Sequence, residues 1–155
     1  MTITIRPALS ADFPQWLPLW EGYNSFYKRT IPEAVTRATW SSFFDGYEPV
    51  YALVAERDGT LTGLVHYLYH RNTAMLGPTC YLQDLFTAQA ARGTGTGRAL
   101  IEAVYAAATA AGAERVYWMT HETNATARSL YDRVAERSGF IQYRKALQRF
   151  QNTPS

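Results

Sequence analysis

The chain has 155 residues, 47% apolar and 14% aromatic, enough for one domain with its own core. Fifteen basic and thirteen acidic residues leave a formal charge of +2. With no basic run or stripe, that balance argues against a nucleic-acid partner. Every apolar stretch is broken by charge, Gly or Pro, which excludes a membrane-spanning helix. The opening Met1-Thr2-Ile3-Thr4-Ile5-Arg6 alternates like a strand and lacks a signal peptide's apolar block. A soluble, cytoplasmic protein is expected. Cys80 is the single cysteine, so neither an internal disulfide nor a cysteine metal cage can form. His66, His70 and His121 are not spaced as helix-borne zinc ligands, and no metal is expected.

In chain order, Thr2 to Arg6 reads as a first strand ended by Pro7. Ser10 or Asp12 can cap a helix running to about Tyr27, and Pro32-Glu33 starts a second, through about Phe44. Val50 to Glu56 and Leu61 to Tyr69 are strands joined by Arg57-Asp58-Gly59-Thr60, which carries the Asp-Gly hairpin signal. In the second of these, Leu64, His66, Leu68 and His70 share one face. Thr79 to Thr87 is mostly apolar, as a central strand should be. A helix to about Ala111 follows, with Gly112 as its C-terminal cap. Arg115 to Thr120 is a strand, Asn124 to Arg137 a helix ended by Gly139, and Phe140 to Leu147 a last strand. The order β-α-α-β-β-β-α-β-α-β implies one α/β domain over residues 1–150. Its mixed sheet would be flanked by helices on both faces. The tail 151–155 is expected to be disordered.

The most informative stretch is Arg92-Gly93-Thr94-Gly95-Thr96-Gly97-Arg98, which opens directly into the apolar run of a helix. Glycines let the backbone come close, several N–H groups can converge, and the helix dipole adds positive potential. That combination suits phosphate. A dinucleotide site would need G-x-G-x-x-G; here the spacing is wrong and Leu100 stands where a third glycine would follow. A nucleotide P-loop would need Lys-Ser or Lys-Thr after the last glycine, and neither is present. What matches is R-x-x-G-x-G, as Arg92-x-x-Gly95-x-Gly97.

This motif resembles the pyrophosphate loop of the GNAT superfamily of acetyl-CoA-dependent N-acetyltransferases. Tyr81-Leu82-Gln83-Asp84-Leu85-Phe86-Thr87 resembles that family's central strand. Asn124-x-x-Ala127-x-x-Leu130-Tyr131 resembles its second signature, and Gly139-Phe140 the start of its last strands. Tyr-Leu-x-Asp-Leu-Phe, Val116-Tyr117-Trp118-x-Thr120 and the early Leu19-Trp20-Glu21-Gly22-Tyr23-Asn24-x-Phe26-Tyr27 are similar to the polyamine and histone acetyltransferase branch.

The resemblance implies a GNAT fold with a splayed parallel strand pair, acetyl-CoA as donor, and a small primary amine as acceptor. It assigns the pantetheine arm to the backbone of Leu85, Phe86 and Thr87 and to Asn124 and Ala127. The pyrophosphate falls to the N–H groups of Arg92, Gly93, Thr94, Gly95, Thr96, Gly97 and Arg98, with a charged bond from Arg92 or Arg98. Tyr131, two helical turns after Asn124 on the same face, takes the general acid's place near the thioester sulfur. Asp84 is the candidate base, because a lysine-like amine with pKa about 10.4 costs roughly 4–5 kcal/mol to neutralise at pH 7. Related enzymes often carry Glu before this Asp; here Gln83 stands there and cannot be a base, so Glu122 is held in reserve. Trp20, Tyr23, Tyr27, Gln83, Trp118, His121 and Glu122 are assigned to the acceptor side, where aromatic faces suit cationic amines.

Plainer readings stand beside these. Asn124 could be only a helix cap, Tyr131 ordinary core at helical spacing, and Asp84 a charge paired inside the sheet. Trp20, Tyr23, Phe26 and Tyr27 have core spacing, His66 and His70 are read as structural, and Cys80 as a small core residue. Rival functions are a protein or peptide N-acetyltransferase, a non-catalytic acyl-CoA-binding module and, least compatible with the glycine spacing, a nucleotide-dependent oxidoreductase. A homodimer is expected, with Phe140-Ile141-Gln142-Tyr143 as a pairing edge.

Overall fold

A computed structural model describes residues 2–148; the expected disordered tail 151–155 lies outside them. The chain divides into a compact unit ending at His121 and a second beginning at Glu122. The first carries five strands: β1 (Thr4–Pro7), β2 (Val50–Arg57), β3 (Thr60–His70), β4 (Thr79–Thr87) and β5 (Arg115–Tyr117). They lie side by side in sequence order, antiparallel except for the parallel pair β4–β5. Asp58 and Gly59 both adopt positive φ (51° and 79°), the two-residue turn that the Asp-Gly pair of the hairpin called for.

Three helices belong to this unit: α1 (Phe13–Phe26), α2 (Glu33–Ser42) and α3 (Thr96–Ala110). Side chains alternate along β3, and the two long helices use the two faces. Leu64 packs with Trp16, Leu19, Trp20 and Tyr23 of α1. On the opposite face a Cβ at Gly63 would stand 3.0 Å from the Leu100 side chain of α3. Phe13, Trp16, Trp20 and Tyr23 recur every three or four residues along α1, and their rings stack successively at 6.0, 5.5 and 5.8 Å. That ladder is the core of the α1 face. Phe26 is an exception to the expected core set: its side chain is 54% exposed at the helix end. Leu100, Ile101 and Val104 of α3 are fully buried on the other face.

Two expectations change. Asp12 precedes α1 but makes no capping bond there. Its carboxylate is taken by Arg6 (Nη1 to Oδ2 2.7 Å, Nη2 to Oδ1 3.0 Å) and by the Leu9 N–H (2.7 Å). Arg6 also donates from Nε to Glu56 at 2.9 Å, tying β1, β2 and the entry to α1 together. The predicted strand Arg115–Thr120 stops at Tyr117, because β4 no longer runs beside it.

The second unit holds α4 (Ala125–Val134), capped by Asn124, whose Oδ1 accepts from the Ala127 N–H at 3.4 Å. Residues 135–148 form neither helix nor strand, so the predicted strand Phe140–Leu147 and a helix reaching Arg137 are both corrected. Alternating apolar residues become a strand only when a neighbouring backbone completes the ladder, and none pairs with 140–147 among the described residues.

The Arg6 guanidinium holds the Asp12 carboxyl below its ordinary value, against the opposing effect of burial. A depressed carboxylate pKa stabilises the fold above the unfolded-state value of about 3.9, and the contribution is lost as pH falls through the folded value. Asp12→Asn should therefore cost about 2–4 kcal/mol in urea unfolding at pH 7. The gap to the native protein should narrow as the pH is taken below about 4.

Candidate active site

The site begins with an irregularity in β4. His66 pairs with Asp84, but Tyr67 pairs with Leu82, so Gln83 is an extra residue with no partner on β3. A bulge of this kind resets the alternation of the strand. Leu82 lies on the α3 face with Tyr67; without the bulge Asp84 would follow it there. With the bulge, Asp84 shares the α1 face with His66, and Gln83 and Asp84 both line one cavity. The ladder with β5 ends just before this irregularity and covers only Thr79–Tyr81 against Arg115–Tyr117. Beyond it, Leu82 to Thr87 have no strand partner on that side among the described residues. Leu85, Phe86 and Thr87, which the sequence assigned to the pantetheine arm, occupy this unpaired stretch.

Asp84 is held by a buried relay. His66, 1% exposed, approaches Asp84 Oδ2 through Nδ1 at 2.9 Å, while its Nε2 meets the Trp16 indole Nε1 at 3.1 Å. An indole N–H can only donate, so Nε2 must be the acceptor. The ring proton is then on Nδ1, where it is donated to Asp84. Trp16 thus fixes the His66 tautomer, and His66 fixes the carboxylate. Both residues escaped the sequence reading of function: His66 was read as structural and Trp16 was not singled out. Only cross-strand register reveals that His66 stands opposite Asp84.

Around Asp84 lie three phenols. Burial, followed by the Asp84 charge and a hydrogen bond to it, raises the Tyr23 phenol well above its ordinary value, with Arg29 opposing. Tyr27 and Tyr81 are raised too, chiefly by burial, and both feel the same carboxylate. These phenols stay protonated at neutral pH and can only donate to, or neighbour, the carboxylate. The cavity is about 310 Å³ and has Asp84, His66, Gln83 and Trp20 on its sheet and α1 side. Ile31, Val35, Thr39 and Phe43, from α2 and its flanks, close the far side. Gly22 lets α1 come this close to β4: a Cβ there would stand 3.0 Å from the Phe86 ring.

The glycine loop sits at the other end of β4. Gly93 and Gly95 take φ of 77° and 86°, and a Cβ at either would meet nothing within 4 Å. Backbone conformation, not crowding, is what calls for glycine there. Gly95 is the N-cap of α3 and offers no side-chain acceptor. The first helical bond runs from the Ala99 N–H to the Gly95 carbonyl at 3.0 Å, so the N–H groups of Thr96, Gly97 and Arg98 have no acceptor within the helix. Below them, Thr94 bonds through its hydroxyl to the Ala91 carbonyl, and the Thr94 and Thr96 hydroxyls meet at 2.8 Å, bracing the turn. These are features an anionic group fits. The two arginines differ: Arg98 pairs with Glu102 at 3.0 Å, whereas the Arg92 guanidinium lies 5.8 Å from the Phe86 ring centre.

Other assigned residues are placed as follows. The Tyr27 ring lies 5.8 Å from that of His121. Trp118 lies 6.3 Å from Tyr105 of α3, on the face away from the cavity. Asn124, Ala127 and Tyr131 ride on α4, and Glu122, exposed, accepts at its backbone carbonyl from Arg128 (2.6 Å) within the second unit. Cys80 is fully buried in β4, and burial pushes its thiol up to about 11, the behaviour of a packed core residue.

The sequence pattern of the Acetyltransferase (GNAT) family matches residues 14–135. The D-amino-acid N-acetyltransferase HPA3 of Saccharomyces cerevisiae is 32% identical over 145 residues, covering 92% of this chain and 90% of the relative. Two solved structures share the fold. A ribosomal-protein-alanine N-acetyltransferase from Brucella melitensis biovar Abortus 2308 gives a TM-score of 0.80 at 19% identity, covering 95% of this chain and all of the other. AAC(6')-Iy, in complex with the bisubstrate analog CoA-S-monomethyl-acetylneamine, gives 0.81 at 19% identity with the same coverage. Among the described residues, no helix is long and apolar enough to cross a membrane.

The His66 relay makes a spectroscopic prediction. Nitrogen-15 spectra of the imidazole should show a neutral ring protonated at Nδ1. In Trp16→Phe that tautomer preference should weaken, with a stability loss of about 1–3 kcal/mol from the orphaned ring nitrogen and altered packing.

Proposed function

We propose a particular reaction for this chain, which belongs to the GNAT family of acetyltransferases and takes acetyl-CoA as its acetyl donor: N-acetylation of a primary amine on a small molecule, by direct attack. The observation that carries this reading is the bulge at Gln83. Just before it the ladder to β5 ends, leaving the edge of Leu85–Thr87 unpaired, and with it the Asp84 carboxylate turns into a cavity. A cavity of about 310 Å³ suits a small acceptor, which favours this over acetylation of a folded protein. HPA3 by its name acts on D-amino acids, and AAC(6')-Iy was solved with a neamine-derived analog; both point to small amines.

Acetyl-CoA supplies an acetyl thioester whose C–S bond breaks as the amine nitrogen forms the new N–C bond. The N–H groups of Thr96, Gly97 and Arg98 would hold its pyrophosphate, with Arg92 adding charge and Arg98 already engaged with Glu102. The backbone of Leu85 to Thr87 would pair with the pantetheine amides, as an added strand pairs with an open edge. Asn124 has its Oδ1 committed to capping α4, so its contribution to the cofactor comes from the amide Nδ2.

Asp84 accepts a proton from the acceptor ammonium, directly or through water, leaving a nucleophilic amine. It is suited to this because His66 fixes its orientation and the surrounding phenols offer no competing negative charge. Tyr131 on α4 supplies the proton that the departing sulfur takes up. Gln83, which cannot exchange a proton, lines the same cavity and contributes hydrogen bonds to the acceptor.

Acetyl-CoA should raise the melting temperature while nicotinamide nucleotides leave it in place. Asp84→Asn should lower kcat/KM about 10²- to 10⁴-fold near pH 7. The deficit should shrink as pH rises toward the pKa of the acceptor amine, because the uncatalysed loss of its proton then suffices. Tyr131→Phe should slow CoA-thiol release about 10- to 1000-fold with little change in CoA affinity. Turnover equal to that of the native enzyme would remove Tyr131 from the acid's role.

A further inference from the structure

Resting on the acetyl-transfer reading, we infer that Arg29 is the carboxylate anchor of the acceptor cavity, and that the acceptor is a free α-amino acid, not a polyamine. Arg29 lines the same cavity as Asp84 and Gln83, and nothing in the sequence pattern singles it out. It comes just after the end of α1, where the backbone makes a costly turn. Lys28 adopts φ of 56°, a left-handed conformation usually left to glycine, and the Arg29 N–H then reaches back to the Asn24 carbonyl at 2.9 Å. This closure folds the Arg29 side chain back over the helix end.

The side chain is held there by groups that leave its charge unspent. Nη2 donates to Asn24 Oδ1 at 3.0 Å, and Asn24, 3% exposed, is itself fixed by donating Nδ2 to the Trp20 carbonyl at 2.9 Å. The guanidinium lies 5.4 Å from the Tyr23 ring centre and 5.2 Å from that of Tyr27. None of the ion pairs among the described residues includes Arg29. An arginine braced by an amide and two aromatic rings, at a cavity, without a carboxylate partner, is a fork awaiting one.

The position of Asp84 sets the kind of molecule. Asp84 and Arg29 line the same cavity, and both act on the Tyr23 phenol, Asp84 raising it and Arg29 lowering it. A small ligand that meets both carries an amine and an anion together, as an α-amino acid does: nitrogen toward Asp84, carboxylate toward Arg29. A polyamine would set a second cation against the Arg29 guanidinium, a like-charge contact that disfavours it. The residues that carry the resemblance to the polyamine and histone branch stop at Tyr27 on this side of the cavity, and Arg29, two residues on, changes what the cavity takes.

The test compares D- or L-alanine with the matching alaninamide, and spermidine, in a CoA-thiol release assay with the full chain. The native enzyme should prefer the acid. Arg29→Gln should lower the ratio of kcat/KM for alanine over alaninamide about 10- to 100-fold, mainly through KM for the acid, and Arg29→Lys should recover part of it. The two amines differ in basicity, but that difference cancels in the comparison of variant with native enzyme. An unchanged ratio in Arg29→Gln, or native preference for alaninamide or spermidine, would overturn the inference while leaving the acetyl-transfer reading intact. Binding of acetyl-CoA with no transfer to any of the three would overturn both.

Discussion

Hydrogen bonding between strands requires the backbones to keep step, and in β4 they fall out of step at Gln83. Nearly every feature of the candidate site follows from that extra residue. The ladder to β3 resumes after it, so the strand remains anchored in the sheet. The ladder to β5 does not, so the edge beyond Tyr81 opens. Because side chains alternate with a period of two, one inserted residue also moves Asp84 from the α3 face to the α1 face. The open edge and the turned carboxylate thus lie at a single local irregularity.

An ionisable carboxylate turned into an aromatic core would ordinarily be costly. Here His66 Nδ1–H donates to it, and the Trp16 indole holds His66 in the tautomer that does so. The aromatic ladder of α1 therefore does more than fill volume. Trp16 uses its polar tip to orient Asp84 through His66, and its ring face buries in the α1 core, a division of labour closed to Phe. Gly22 contributes by what it lacks, since a Cβ there would stand 3.0 Å from the tip of the Phe86 ring, which would have to give way. Beyond the far end of the same strand lie the uncapped N–H groups of α3, so β4 connects the two halves of the proposed chemistry.

Long-period signals were legible in the sequence. Strand alternation, the Asp-Gly turn and the glycine loop made β2, β3, β4 and α3 legible nearly to the residue, because local backbone preference and burial agree there. Asp84 was legible as a candidate but its direction was not, because a bulge leaves no mark on composition. His66 looked structural, since a histidine on an apolar face has that pattern whether or not a carboxylate stands opposite it. Asp12 shows the reverse case: it has every local reason to cap α1, yet Arg6, arriving from β1, takes its carboxylate. Phe140 to Leu147 alternates like a strand without the paired neighbour that makes one, and Arg29 follows a helix end that periodicity places only approximately.

The central claim is that the β4 edge beyond the bulge, unpaired in the protein alone, is where the donor's arm binds. Amide hydrogen exchange resolved along β4, with and without saturating CoA, tests it most directly. The account predicts that CoA slows exchange within Leu85–Thr87 and at Thr96–Arg98, while Thr79–Tyr81, already paired with β5, changes little. Exchange within Leu85–Thr87 that is indifferent to bound CoA would contradict it.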